Sequence, residues 1–241
     1  MANEHVGARQ EIAFKVESVR GTAVDPASGD WIPHTGQGFI PVTEYVTDDS
    51  GMGRIEGVNN EDISKEYSQG SVSMRLYDNF LTTLNRVIFG AAGSTVDTAT
   101  TYPVDNTNLH NSYTITCTDP VSGDTQYARA MLNTATITAN TDDYVMLTME
   151  FIAGKEGTTT VTPGYSTTAA TFEPDEITIG YATDFAGLSS PTTLTCKNFN
   201  LNIEKNVTID WALGSTEVDE ITNGRLGVTG DFTVKIGRAH V

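Results

Sequence analysis

Residues 63–90 read ISKEYSQGSVSMRLYDNFLTTLNRVIFG, and the change of period inside this stretch decides the fold. Up to Leu76 the residues alternate as in a strand, with Val72, Met74 and Leu76 on one face. Lys65, Tyr67, Gln69, Ser71, Ser73 and Arg75 take the other. About fourteen extended residues span roughly 45 Å, which is long for a strand. Then the period switches. Asp78 is placed to act as an N-cap, and Phe80, Leu81, Leu84, Val87 and Ile88 recur at helical spacing. Gly90 stands where a left-handed glycine ends a helix. The stretch predicts a long strand feeding one helix at about residues 78–89.

Working outward, residues 11–17 alternate as a first strand, and a turn-rich loop follows from Gly21 to Gly38 with Pro26 and Pro33. An extended segment begins at Phe39. Residues 48–60, DDSGMGRIEGVNN, read as a long exposed hairpin loop, the kind that is functional or mobile. After the helix come small residues (91–101) and then short alternating runs. Tyr113, Ile115 and Cys117 share a face, and DPVSGD (119–124) turns the chain. Tyr127–Leu132 returns, Ala135, Ile137 and Ala139 form a further run, and Val145, Leu147, Met149 and Phe151 another. In the last third, Phe199, Leu201 and Ile203 alternate with Asn198, Asn200, Asn202 and Glu204. Lys205-Asn206 is read as a two-residue turn into Val207, Ile209 and Trp211, a predicted hairpin.

The end of the chain echoes the opening stretch. QGSVSMRL (69–76) aligns with TGDFTVKI (229–236), which predicts Phe232, Val234 and Ile236 inward, as Val72, Met74 and Leu76 are. Gly53-Arg54 has a counterpart in Gly224-Arg225. The expected organisation is a β-domain with the helix over residues 1–155, a Gly/Thr/Pro-rich linker at 156–172, and an incomplete second repeat at 173–236 without a helix of its own. Residues 237–241 resemble translated sequencing adapter, so the chain is expected to be truncated there.

Composition narrows the function. With 38% apolar and 19% charged residues the chain is an ordinary folded protein, and its 22 glycines among short Thr-rich runs are a β signature. A formal net charge of −17 argues against a phosphate-gripping nucleic-acid binder. Cys117 and Cys196 have no metal-site company and read as thiols, a single disulfide being the alternative. No signal peptide and no membrane-length apolar run is present. The four histidines are scattered, no nucleophile, P-loop or dinucleotide motif appears, and neither Asp48-Asp49-Ser50 nor Asp142-Asp143 fits a calcium loop. No cofactor, metal or catalytic residue is expected.

VESVRGTAV (16–24), FIPVTEYV (39–46), GRIEG (53–57), residues 64–90, TCKNFNLNIEKNVTIDWALGS (195–215) and NGRLGVTGDFTVKI (223–236) occur in the order seen in one family. Across nearly its whole length the chain resembles the major tail tube proteins of long-tailed, siphovirus-like bacteriophages. The resemblance implies a mainly β fold, a tail-tube-type sandwich or half-barrel with one packed helix, partly duplicated. It implies self-assembly into stacked rings, as hexamers or as pseudo-sixfold trimers, with tape-measure and tail-terminator proteins as further partners. DNA would be transient cargo repelled by an acidic lumen, and no membrane is involved. The protein would be made in the host cytoplasm and reside in the virion tail. Asp48, Asp49, Arg54, Glu56, Asn59 and Asn60 are the candidate inter-subunit or inter-ring loop. Lys65, Gln69, Ser71, Ser73 and Arg75 are the candidate lumen face. A receptor- or carbohydrate-binding sandwich is the alternative.

Overall fold

A computed structural model describes residues 10–50, 53, 60–96, 99–166, 169–184 and 186–235. The strands are β1 (Glu11–Val16), β2 (Trp31–Ile32), β3 (Gly36–Asp48), β4 (Asn60–Arg75), β5 (Ser94–Val96), β6 (Ala99–Thr101), β7 (Tyr113–Thr118) and β8 (Asp124–Asn140). They continue as β9 (Met146–Ala153), β10 (Glu156–Thr159), β11 (Ile179–Tyr181), β12 (Thr192–Leu194), β13 (Cys196–Glu204), β14 (Thr208–Asp210), β15 (Glu220–Thr222) and β16 (Gly227–Val234). Helix α1 (Leu81–Phe89) is the one α-helix among the described residues.

The long strand read from the sequence is there: β4 runs 16 residues and buries Val72 and Met74, and Leu76 is buried just past its end. A 3-10 turn at Asp78–Phe80 leads into α1, which presses Phe80, Leu84, Val87 and Ile88 into the core. Gly90 ends it at φ +80°. Asp78 is not the cap. It lies inside the 3-10 turn, and its carboxylate accepts the backbone N–H groups of Asn79 (2.7 Å) and Ala170 (3.0 Å), tying two loops together.

One strand organises the rest. The 17-residue β8 pairs with β7 and β10 through its first half and with β9 and β13 through its second. Two leaves result, β2–β1–β7–β8 with β10, and β3–β4–β9–β8–β13–β16. A bulge between Leu132 and Thr134 marks the change of leaf. The leaves close on each other as a sandwich: Phe14 lies 5.5 Å from Phe151 and Phe39 5.2 Å from Tyr127, ring centre to ring centre. Both cysteines are free, and burial pushes the Cys117 thiol up to about 12.

The C-terminal third joins the same sheet. β13 pairs with β8 along Asn198–Glu204, and Ile203 belongs to the main core. Glu156–Thr159, at the start of the expected linker, is a strand on β8. The hairpin predicted through Lys205-Asn206 does not form. β13 already has β8 and β16 on its two sides, so β14 turns away and pairs with β15. Phe232 and Val234 are also not inward as predicted, being 49% and 37% exposed. β16 pairs with β13 alone among the described residues, and its apolar side chains are left half-exposed. Ile236, the third member of that set, and residues 237–241 lie outside the described residues.

Candidate functional site

The β3–β4–β9–β8–β13–β16 leaf has one face in the core and one turned away from it, and the second face is polar by construction. Strand alternation that buries Val72, Met74, Leu147, Met149 and Ile203 must send their neighbours outward. Those neighbours are mostly polar, Ser71, Ser73, Thr148, Glu150 and Asn202 among them with the apolar Met146 beside them, and several bond one another. Ser73 and Thr148 hydroxyls lie 3.2 Å apart. Thr134 donates to Glu150 (3.0 Å) and Thr136 to Asn202 (3.0 Å). Asn202 donates to Glu204 at 2.8 Å and Asn200 to Asp231 at 3.4 Å. The bonds between strands help lock their register, while Oδ1 of Asn200 is buried with no hydrogen-bond partner. Charge on the face is mostly negative, from Glu150, Glu204 and Asp231. Arg75 is held over the Tyr144 ring at 4.3 Å.

Both edges of this leaf lack a strand partner among the described residues: β3 pairs with β4 alone and β16 with β13 alone. Long bare edges are an aggregation hazard unless another chain uses them. β3 carries Pro41, a residue that sheets tolerate on edge strands. Along β16, Val228 (58% exposed), Phe232 and Val234 extend the core layer of Ile203 and Phe199 past the end of the molecule.

Beyond β9 the β3–β4 pair continues as an arm, with a bulge between Glu44↔Lys65 and Tyr45↔Ile63 and even register from there to Asp48↔Asn60. Tyr45, Val46 and Ile63 are exposed on it. At its tip Asp48 accepts the Ser50 backbone N–H (3.0 Å) and hydroxyl (2.5 Å), which hold its carboxyl below the usual range. Asn60 donates to Asp62, and Asp49 is exposed. Arg54, Glu56 and Asn59 lie outside the described residues.

The five face residues expected from the sequence divide. Gln69, Ser71, Ser73 and Arg75 share the open polar face. Lys65 does not: it sits against Glu44 (3.1 Å) and 5.3 Å from the centre of the Trp211 ring. The cause is a flap that the sequence did not announce. β14 and β15 fold over Met131, Tyr67 and Ile152, and Val218, Ile221 and Trp211 make a second small core there. Lys155 and Thr216 clasp Glu66 (2.9 and 3.0 Å), lowering its pKa, and Arg20 pairs with Glu220 at 2.5 Å. At the root of the flap Lys205 is buried and donates to the Val87 carbonyl at 2.7 Å. Burial first, and then Arg20, pull its pKa down to about 8.

Among the described residues no cluster of His, Cys, Asp or Glu could hold a metal ion, and no helix is long and apolar enough to cross a membrane. What the geometry offers is surface and edges. A model of the phage tail tube protein family matches residues 7–239. The chain belongs to that family. A comparison with curated proteins finds no match for this tail tube protein. The family makes it a structural protein of the virion tail, and the receptor-binding alternative has no support.

Proposed function

We propose that this tail tube protein closes into rings by pairing β16 of one copy with β3 of the next, and that the rings stack into a hollow tube. The observation that carries the reading is the pair of unpartnered edges on one leaf, of which β16 exposes Val228, Phe232 and Val234. Edge pairing would use the free N–H and C=O groups and bury those apolar side chains in one step. The cross-bonded Ser/Thr/Asn face, with Gln69, Ser71, Ser73 and Arg75, then lines the channel. Several of its hydroxyls and amides already bond one another, and its net negative charge repels phosphate, so DNA would slide through without sticking. The β3–β4 arm, with Asp48, Asp49 and Asn60, reaches the adjacent subunit or ring. The sequence echo between residues 69–76 and residues 229–236 supports a duplicated ancestry for the two halves. Synthesis in the host cytoplasm and contacts with tape-measure and terminator proteins follow from a tail-tube role.

Negative-stain electron microscopy of the purified chain at high concentration tests this. Rings or tubes are expected, and Phe232→Asp is expected to abolish them while the monomer stays folded. A wild-type protein that remains dispersed monomer overturns the proposal.

A further inference from the structure

Leu213 sits at the tip of the β14–β15 loop with its side chain wholly in solvent. Single exposed leucines are common on protein surfaces. This one stands on a fixed base, because Trp211 packs edge-on to Tyr67 at 6.0 Å and the Glu66 backbone N–H bonds the Thr216 carbonyl at 2.7 Å. A recess lies at the other end of β8. Ile177, Ile179, Leu194 and Phe199, together with Lys197 and Asn198, line a cleft beside Ala139–Thr141 with a volume of about 70 Å³. Small-molecule pockets begin at roughly 300 Å³, so this cleft has room for an aliphatic side chain and little else. From Met131, under the flap, to Asn140, at the cleft, β8 extends roughly 30 Å. An apolar knob at one end of a molecule and a part-apolar hole at the other make a heterologous contact, which repeats head to tail without closing.

We infer that Leu213 of one copy seats in the Ile177–Phe199 cleft of the copy stacked on it, making the flap an axial connector between rings. The inference rests on the tube reading above, in which the strand ends of a closed sheet face the two rims of a ring. Exposed Asp210 and Glu217 flank the knob, and Asp142, Asp143 and Glu176 adjoin the hole in sequence. Lys197 lines the hole itself and carries the charge opposite to Asp210 and Glu217, set against the repulsion among the carboxylates on the two sides.

Cys196 lies in the cleft, free and half-buried, whereas Cys117 is buried elsewhere, and this gives a direct test. A disulfide requires Cα atoms within about 7 Å. Mild oxidation of assembled Leu213→Cys protein should yield a many-rung ladder of disulfide-linked chains on a non-reducing gel. Cys196→Ser in that background should remove the ladder, and Cys117→Ser should leave it. Leu213→Cys tubes that give no ladder, or a ladder that stops at dimers and survives Cys196→Ser, overturn the inference and leave the tube reading standing. Wild-type protein that forms neither rings nor tubes overturns the tube reading, and this inference with it.

Discussion

β4 and β16 carry the same alternation and meet opposite fates. Val72 and Met74 are sealed from solvent, while Phe232 and Val234, at the matching places, are 49% and 37% exposed. Side-chain chemistry does not separate them; neighbours do. β4 lies between β3 and β9 beneath the other leaf, and β16 has β13 on one side and no strand of the described residues on the other. Alternation states which side chains share a face. Whether that face is covered depends on where the strand lands in the sheet, and at an edge the cover has to come from another chain.

Core truncation probes the contrast most strongly. Met74→Ala should cost about 3 kcal/mol in a denaturant melt, because a sealed site keeps the cavity. Phe232→Ala should cost less than about 1 kcal/mol in the unassembled chain, since little buried area is lost, yet it should eliminate rings in micrographs. Equal losses of monomer stability would break the comparison.

Lys205, where β13 gives way to the flap, offers a pH test. Its folded pKa of about 8 lies below the ordinary lysine value of 10.5, so between those values the unfolded chain holds the extra proton and stability rises with pH. Below pH 8 both states are protonated and the cost of burying the charge is constant. The total rise should be roughly 2–3 kcal/mol, allowing for the facing charges of Arg20 and Asp105. Lys205→Met should flatten it. A wild-type stability curve that is flat or falling across this window would refute the assignment.

The paired glycines come next. A Cβ on Gly70 would strike the Phe39 ring and lie 2.6 Å from the Gly38 carbonyl, whereas on Gly230 it would meet the Asn200 carbonyl at 3.0 Å. Gly70→Ala should therefore cost about 1–3 kcal/mol by overpacking and Gly230→Ala less, as measured by thermal unfolding of the two variants. The smallest effect belongs to Arg75→Ala. Loss of the Tyr144 contact should lower stability by no more than about 1 kcal/mol, and a larger loss would mean the open face is not as independent of the core as its hydrogen bonds suggest.

Much of this was legible where local chemistry and tertiary position agree. The β4 alternation, the helix from 78 to 89, Gly90 and the DPVSGD turn between β7 and β8 each carry their own signal. β8 was read as two runs because the bulge at Leu132/Thr134 shifts its phase, so a single strand resembles two. β10 escaped notice because Glu156–Thr159 has no apolar alternation to show. The β13 pairing was misjudged since alternation is silent about partners, and β14 is nearer in sequence than β8 or β16. On the polar face, Gln69, Ser71, Ser73 and Arg75 follow from period two alone. Lys65 obeys the same period and is nevertheless lost to Trp211, because a flap contributed from 146 positions further along the chain covers it.

The shared strand β8 has a mechanical consequence. Because one backbone belongs to both leaves, they cannot slide past one another without stretching covalent bonds or tearing two ladders at once. A pull along β8 loads its hydrogen bonds to β7, β9, β10 and β13 in shear, many together, where peeling would break them one by one. The subunit should therefore behave as a stiff tile, with compliance concentrated in the flap and in the β3–β4 arm.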